Sequence, residues 1–133
     1  MAKLSLLFAS ISGFISVALG AFGAHALKAH LEELNYTNVF ETAVRYQFYH
    51  SLLLFVVSFL LILAPVKWFR YSSLSLMAGI LLFSASLYVL AMTGIRSLGM
   101  ITPFGGVFLL LGWVFLALGI NQSYPQIRDR IKG

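Results

Sequence analysis

The chain alternates between long apolar segments and short polar ones. Segments 4–27, 71–95 and 97–120 contain almost no charge, and a further uncharged run covers 51–64. As a helix this last run is roughly 21 Å long, whereas the hydrocarbon core of a bilayer is about 30 Å thick. The second span must therefore include residues upstream of 51, back to about Tyr46.

This pattern predicts an all-α fold, because each segment is long enough for a membrane helix and too long for a barrel strand. We expect a polytopic membrane protein with a four-transmembrane-helix bundle. The spans are predicted at about 4–26, 39–64, 71–93 and 103–120, within a single integral membrane domain covering 1–133.

Between spans 1 and 2 the pattern becomes amphipathic. Leu27, Leu31 and Leu34 recur at helical spacing, and Lys28 and Glu32 are placed to form an i,i+4 ion pair. We therefore predict a short interfacial helix here.

Span 2 has signals at both of its ends. Asn38 followed by Glu41 fits a capping box at its start, and Pro65 predicts its end, since the residue before proline is disfavoured in a helix.

Two spans carry small residues on one face. In span 1 the set is Ala9, Ser12, Gly13, Ser16, Gly20, Gly23 and Ala24, and in span 4 it is Gly105, Gly112 and Gly119. Such faces let another helix approach closely. That helix belongs either to this chain or to another membrane protein.

Composition supports the membrane class, since 60% of the residues are hydrophobic and only 10% are charged. The net charge of +5 comes from cations that flank the spans. The predicted partners are therefore membrane lipids, and no nucleic-acid partner is predicted. One side of the predicted membrane holds Lys3, Lys67, Arg70, Arg128, Arg130 and Lys132, and the other holds Lys28, Arg45 and Arg96. The positive-inside rule therefore predicts a cell inner-membrane protein with both termini cytoplasmic.

Polar chemistry concentrates in span 2. Tyr46, Gln47 and His50 fall below the lipid headgroups, where polar side chains usually face other helices or a wet cavity. Two interpretations remain open for them, a hydrogen-bonded group that fixes helix packing and a ligand or ion site. Arg96 and Arg45 are candidate counter-charges for an anionic ligand group, although Arg45 also fits an interfacial cation paired with Glu41.

Three functional hypotheses follow. The first is a helical bundle that binds or conducts a small molecule, ion or lipid through an outer-side polar pocket formed by Tyr46, Gln47, His50, Arg96, Arg45 and His25. The second is a structural or assembly partner, as a homo-oligomer or with another membrane protein. The third is haem or metal binding through His25 and His50 on different helices. The chain has no cysteine and no catalytic motif, and we predict no catalytic residue, no cofactor and no enzyme activity.

Four stretches resemble a known family. They are residues 20–27 (GAFGAHAL), 40–50 (FETAVRYQFYH), 82–88 (LFSASLY) and 93–106 (TGIRSLGMITPFGG), followed by Gly112 and Trp113. Together they are similar to the family called domain of unknown function 423, the relatives of transmembrane protein 256. The resemblance covers about residues 9–119 and implies a small bacterial integral membrane protein of four helices. It implies no established activity and no site residues.

Overall fold

The computed structural model describes residues 1–132, and within these residues the regular structure is helical. In chain order the elements are α1 (Ala2–Ala24), α2 (Lys28–Glu33), α3 (Thr37–Leu63), α4 (Lys67–Gly79), a π-helical segment (Ile80–Ser84), α5 (Ala85–Thr93), a 3₁₀ turn (Arg96–Met100) and α6 (Thr102–Lys132).

Four stretches are long and apolar enough to cross a membrane. They are α1, α3, the continuous stretch Lys67–Thr93 formed by α4, the π-helical segment and α5, and the stretch Arg96–Lys132 that contains α6. The predicted all-α, four-span fold is confirmed, and α2 is the predicted short helix between spans 1 and 2. Each span begins before its predicted limit, and α6 ends well beyond its limit, whereas α1 and α3 end slightly before theirs. Helices can continue outside the apolar segment because their backbone hydrogen bonds are internal and do not depend on lipid.

The helices pack in a definite order. The main neighbour of α1 is α3, the main neighbour of α6 is α4, and α3 also contacts α4, the π-helical segment and α5. A central apolar cluster joins α3, α4 and α6 through buried residues that include Leu54, Val57, Leu76 and Leu109. Because α1 contacts little besides α3, it is an edge helix with an exposed apolar outer face.

Small side chains bring α1 close to α3. The buried residues of α1 are Ser5, Ala9, Ser12 and Ser16. Along the two antiparallel helices Gly13 lies next to Ser51, Gly20 next to Val44, and Gly23 next to Phe40. The small-residue face predicted in span 1 is therefore filled by α3 of the same chain.

The glycine seam of α6 is filled in the same way. Gly105, Gly112 and Gly119 are buried, and a methyl group added to them would overlap Phe83, Leu76 and Phe69 respectively. At Gly105 the overlap is with the main chain of Phe83, so the backbones of α6 and the π-helical segment are in direct contact there.

The start of α3 differs from the prediction. The helix begins at Thr37 with Tyr36 as the capping residue, and no side chain caps it. Asn35 has a φ of 58°, the left-handed conformation that commonly follows the last residue of a helix, and the Tyr36 amide returns to the Leu31 carbonyl, so this residue ends α2. The predicted capping box is therefore wrong, and Glu41 pairs instead with Arg45, four residues along the helix.

Candidate functional site

A buried hydrogen-bond network centres on Gln47 of α3. Its amide nitrogen Nε2 donates to the main-chain oxygen of Ser12 at 3.1 Å and lies 3.2 Å from the Ser12 hydroxyl. Its amide oxygen Oε1 accepts a 2.7 Å hydrogen bond from the hydroxyl of Tyr88 in α5. Both amide hydrogens and the amide oxygen therefore have partners, and the network links three spans.

Two serines complete this network. The hydroxyl of Ser51 lies 2.8 Å from that of Ser12 and 2.7 Å from the main-chain oxygen of Gln47. Ser12 is close to the middle of α1, so the network lies deep between the helices. Polar groups at this depth stabilise helix association because the surrounding lipid offers them no partner. For Gln47 the geometry thus favours the packing interpretation.

His50 lies on another side of α3. Its ring atom Nδ1 is 2.7 Å from the main-chain oxygen of Tyr46, one turn earlier. Its other ring nitrogen, Nε2, is 3.4 Å from the indole nitrogen of Trp113 in α6. Tyr46 stacks between His50 and Phe83, with ring centroids 5.7 Å and 4.5 Å away. His50 is therefore placed against α6, whereas Gln47 is placed against α1 and α5.

The structure has two grooves, one next to Gln47 and one next to His50. The first lies between α1 and the π-helical and α5 region, has a volume of about 260 Å³, and includes Ser12, Gln47 and Tyr88 in its lining. The second lies between α3 and α6 and has a volume of about 710 Å³. The second groove is lined by Tyr46, Tyr49, His50, Phe83, Pro103, Gly106, Val107, Leu109, Leu110 and Trp113. We call this second one the α3–α6 groove.

The remaining predicted site residues lie elsewhere. Arg45 is exposed and lines two smaller depressions along α1 and α3, while its guanidinium lies 3.3 Å from the Glu41 carboxylate. Arg96 is exposed in the 3₁₀ turn, and His25 is exposed just after α1. The structure thus brings Tyr46 and His50 together in the α3–α6 groove, and it brings neither arginine nor His25 into its lining.

The spacing of His25 and His50 bears on metal binding. Gly23 lies opposite Phe40, so His25 is near the start of α3, about ten residues or roughly 15 Å along the axis from His50. Metal ligands of one ion lie about 2 Å from it. The two histidines are therefore too far apart to share a metal ion or a haem iron, and residues 1–132 contain no group of three His, Asp or Glu side chains placed for a metal.

Sequence reasoning missed several members of these sites. Ser12 and Tyr88 bond to the Gln47 side chain, Ser51 donates to the Gln47 main-chain oxygen, and Trp113 partners His50. The sequence places Ser12 on the small-residue face of span 1, but it does not show which helix packs against that face. The hydrogen bond from Gln47 to Ser12 depends on tertiary packing, for which the local sequence carries no signal.

The membrane-crossing helices and the polar groups held between them define a multi-pass integral membrane protein. The family model described as "Protein of unknown function (DUF423)" matches residues 19–106. The chain belongs to this family, as its motifs indicate.

Relatives agree with the membrane assignment. The "UPF0382 membrane protein YwdK" of Bacillus subtilis is 40% identical over 117 residues, covering 87% of this chain and 94% of the relative. The "UPF0382 inner membrane protein YgdD" of Escherichia coli K12 is also 40% identical over 117 residues, covering 88% of each chain. The "UPF0382 membrane protein SAB0533" of Staphylococcus aureus is 36% identical over 116 residues, covering 87% of this chain and 93% of the relative. No solved structure matches the chain.

Proposed function

We propose that this protein binds a lipid-type small molecule in the α3–α6 groove. The observation that carries the proposal is the combination of apolar walls with a few polar groups from Tyr46, Tyr49, His50 and Trp113. Binding sites for small molecules are typically concave, mostly apolar and about 300–1,000 Å³ in volume, with a small number of placed polar groups. At about 710 Å³ the α3–α6 groove fits this description.

The position of the groove supports a ligand that comes from the membrane. Pro103 at the start of α6 lines one part of it and Trp113 lines another, so it runs along nearly three turns of that helix. Tyr46, Tyr49 and Trp113 are partly exposed, which leaves the groove open along its length. An elongated molecule with an apolar chain matches such a shape better than an ion does.

The other groove supports ligand binding less well. It is smaller, and Gln47, which provides most of its polar character, already has partners for all of its amide groups. A ligand there would have to replace bonds that hold three helices together. We therefore place the site at His50 and not at Gln47.

Groove filling tests the proposal. Val107 lines the α3–α6 groove and is 55% exposed, whereas Val114, two turns along α6, is 52% exposed and does not line it. Val107→Phe should therefore displace the ligand, and Val114→Phe is its matched control. Native mass spectrometry of gently extracted protein should show a bound lipid-type adduct for the unsubstituted chain and V114F, and its loss in V107F. Equal adducts in all three proteins would contradict the proposal.

We also propose that both termini face the cytoplasm of a bacterial cell and that the membrane is the inner one. The cation distribution supports this orientation. Ala2, Val66 and Ile127 pack around the same core cluster, so the ends of α1, α4 and α6 that carry most of the cations lie together. Cations concentrate on the cytoplasmic side of membrane proteins.

A further inference from the structure

The hydrogen-bond partners of His50 fix which ring nitrogen carries the proton. The main-chain oxygen of Tyr46, 2.7 Å from Nδ1, can only accept a hydrogen bond, so Nδ1 carries a hydrogen and donates it. The indole nitrogen of Trp113 can only donate, so Nε2 of His50 has a free lone pair directed to it. His50 therefore presents a neutral ring with its acceptor nitrogen on the side of the α3–α6 groove.

This acceptor is weakly satisfied. The distance of 3.4 Å between Nε2 of His50 and Nε1 of Trp113 exceeds the usual 2.7–3.2 Å range of protein hydrogen bonds. His50 is only 8% exposed, so bulk water does not provide Nε2 with a stronger hydrogen bond. A buried polar atom without a good partner destabilises the state that contains it. A ligand that supplies a donor at this point therefore gains affinity.

The chemistry of the two nitrogens selects the kind of group that can join them. A hydroxyl can donate to Nε2 of His50 and accept from Nε1–H of Trp113 at the same time. An oxygen bonded to both needs an N···N separation of about 4.5–5 Å, so the half-exposed Trp113 side chain moves about 1–1.5 Å away from His50 when the hydroxyl binds. A ketone, ester or ether has no hydrogen to donate. A carboxylate has none either, and a carboxylate or ammonium group brings a charge into a groove whose walls are otherwise apolar, which is costly at membrane depth.

Resting on the proposed function of the α3–α6 groove, we infer that its ligand is an uncharged lipid-type alcohol. Its hydroxyl donates to Nε2 of His50 and accepts from Nε1 of Trp113. Its apolar chain lies against the groove walls formed by residues such as Val107 and Leu110. His50 thereby makes the groove specific for a ligand that can donate a hydrogen bond. The fluorescence of Trp113 can be used to measure binding of that ligand.

The tryptophan content of the chain makes this measurable. There are two tryptophans, and Trp68 lies away from the groove, stacked on Phe115 at 5.8 Å. In a Trp68→Phe background, fluorescence reports Trp113 alone. The probes are a long-chain primary alcohol brominated at mid-chain and its methyl ether, because bromine quenches tryptophan on contact. Each is titrated into protein in phosphatidylcholine nanodiscs, and the saturable part of the quenching gives an apparent dissociation constant.

We expect the alcohol to bind about fivefold more tightly than the ether, the factor that corresponds to one neutral hydrogen bond. His50→Leu should abolish this preference, whereas His50→Gln, whose amide oxygen can accept, should keep most of it. Val107→Phe should weaken both probes, and Val114→Phe should weaken neither.

The outcomes separate the two claims. Equal affinity of alcohol and ether, with both weakened by V107F, overturns the hydroxyl inference and leaves the groove function intact. Saturable quenching that V107F does not change overturns the groove function and the inference with it. The comparison of alcohol with ether needs no change at His50, so it decides the question even where H50L does not fold.

Discussion

Gly105 of α6 lies directly against the main chain of Phe83, in the π-helical segment that interrupts the third span. A side chain at this position has no room, because the atoms it would meet are backbone atoms and not the flexible end of a side chain. The next residue provides a natural comparison, since a methyl group at Gly106 would lie 3.8 Å from the Phe83 ring, an ordinary contact.

We therefore expect Gly105→Ala to destabilise the protein by about 1–3 kcal/mol, the usual effect of overpacking a well-packed interior. Gly106→Ala should have little effect. Thermal unfolding in a single detergent, followed by circular dichroism, measures both variants. A G105A protein as stable as G106A would show that α6 and the third span are not in backbone contact.

A second prediction concerns the pair Gln47 and Tyr88. The hydrogen bond of 2.7 Å between them joins α3 to α5, and Gln47 also joins α3 to α1. Gln47→Leu and Tyr88→Phe should each destabilise the protein, and the double variant should lose less than the sum. We expect a coupling free energy of about 0.6 kcal/mol and not more than about 1.7 kcal/mol, the range found for hydrogen bonds between membrane helices.

Refolding equilibria of the four proteins in mixed micelles give this coupling energy directly. Ser10→Ala is a suitable reference, because its hydroxyl bonds only to the Leu6 carbonyl of its own helix on an exposed face. Strictly additive effects of the Gln47 and Tyr88 substitutions would mean that the two side chains do not interact in solution.

A third prediction concerns α2. Nε2 of His30 lies 2.9 Å from the main-chain oxygen of Met92 near the end of α5, and this contact holds the short helix against the bundle. His30→Ala should raise the hydrogen-exchange rate of the α2 amides by about fivefold, since one neutral hydrogen bond opposes their local opening. His25→Ala is the matched control, because His25 is exposed and precedes α2. Equal exchange in the two variants would exclude the proposed role of His30.

Membrane orientation can be tested with introduced cysteines, because the chain has none of its own. Ser97 and Lys132 are exposed and lie at opposite ends of the bundle. If both termini are cytoplasmic, a membrane-impermeant maleimide should label Ser97→Cys in intact cells and Lys132→Cys only after permeabilisation. The reverse labelling pattern would place the termini outside.

The sequence predicts the number of spans because apolar length is a strong and local signal. It also predicts the ion pairs Glu41–Arg45 and Lys28–Glu32, whose geometry is set within one helix turn. Partners across helices were not predictable in this way. Gln47 and His50 are about 60° apart around α3, and that angle is enough to place one against α1 and α5 and the other against α6.

The polar tail shows a second limit of the sequence. Apolar content predicts an end to span 4 near Ile120, yet α6 continues to Lys132 with Pro125 inside it. Hydropathy predicts where a helix leaves the lipid, and it carries no information on where the helix itself ends. Packing supplies part of the reason here, because Ser123 is buried and Ile127 contacts the central apolar cluster.

The π-helical segment Ile80–Ser84 closes its hydrogen bonds over five residues where an α-helix uses four, so it contains one residue more than α-helical backbone of similar rotation. One extra residue in a regular α-helix would turn everything after it by about 100°. The wider π turn absorbs most of that rotation, so α5 keeps Tyr88 on the side of the third span that meets Gln47. A membrane helix can in this way contain an additional residue without exchanging the side chains that it presents to its neighbours.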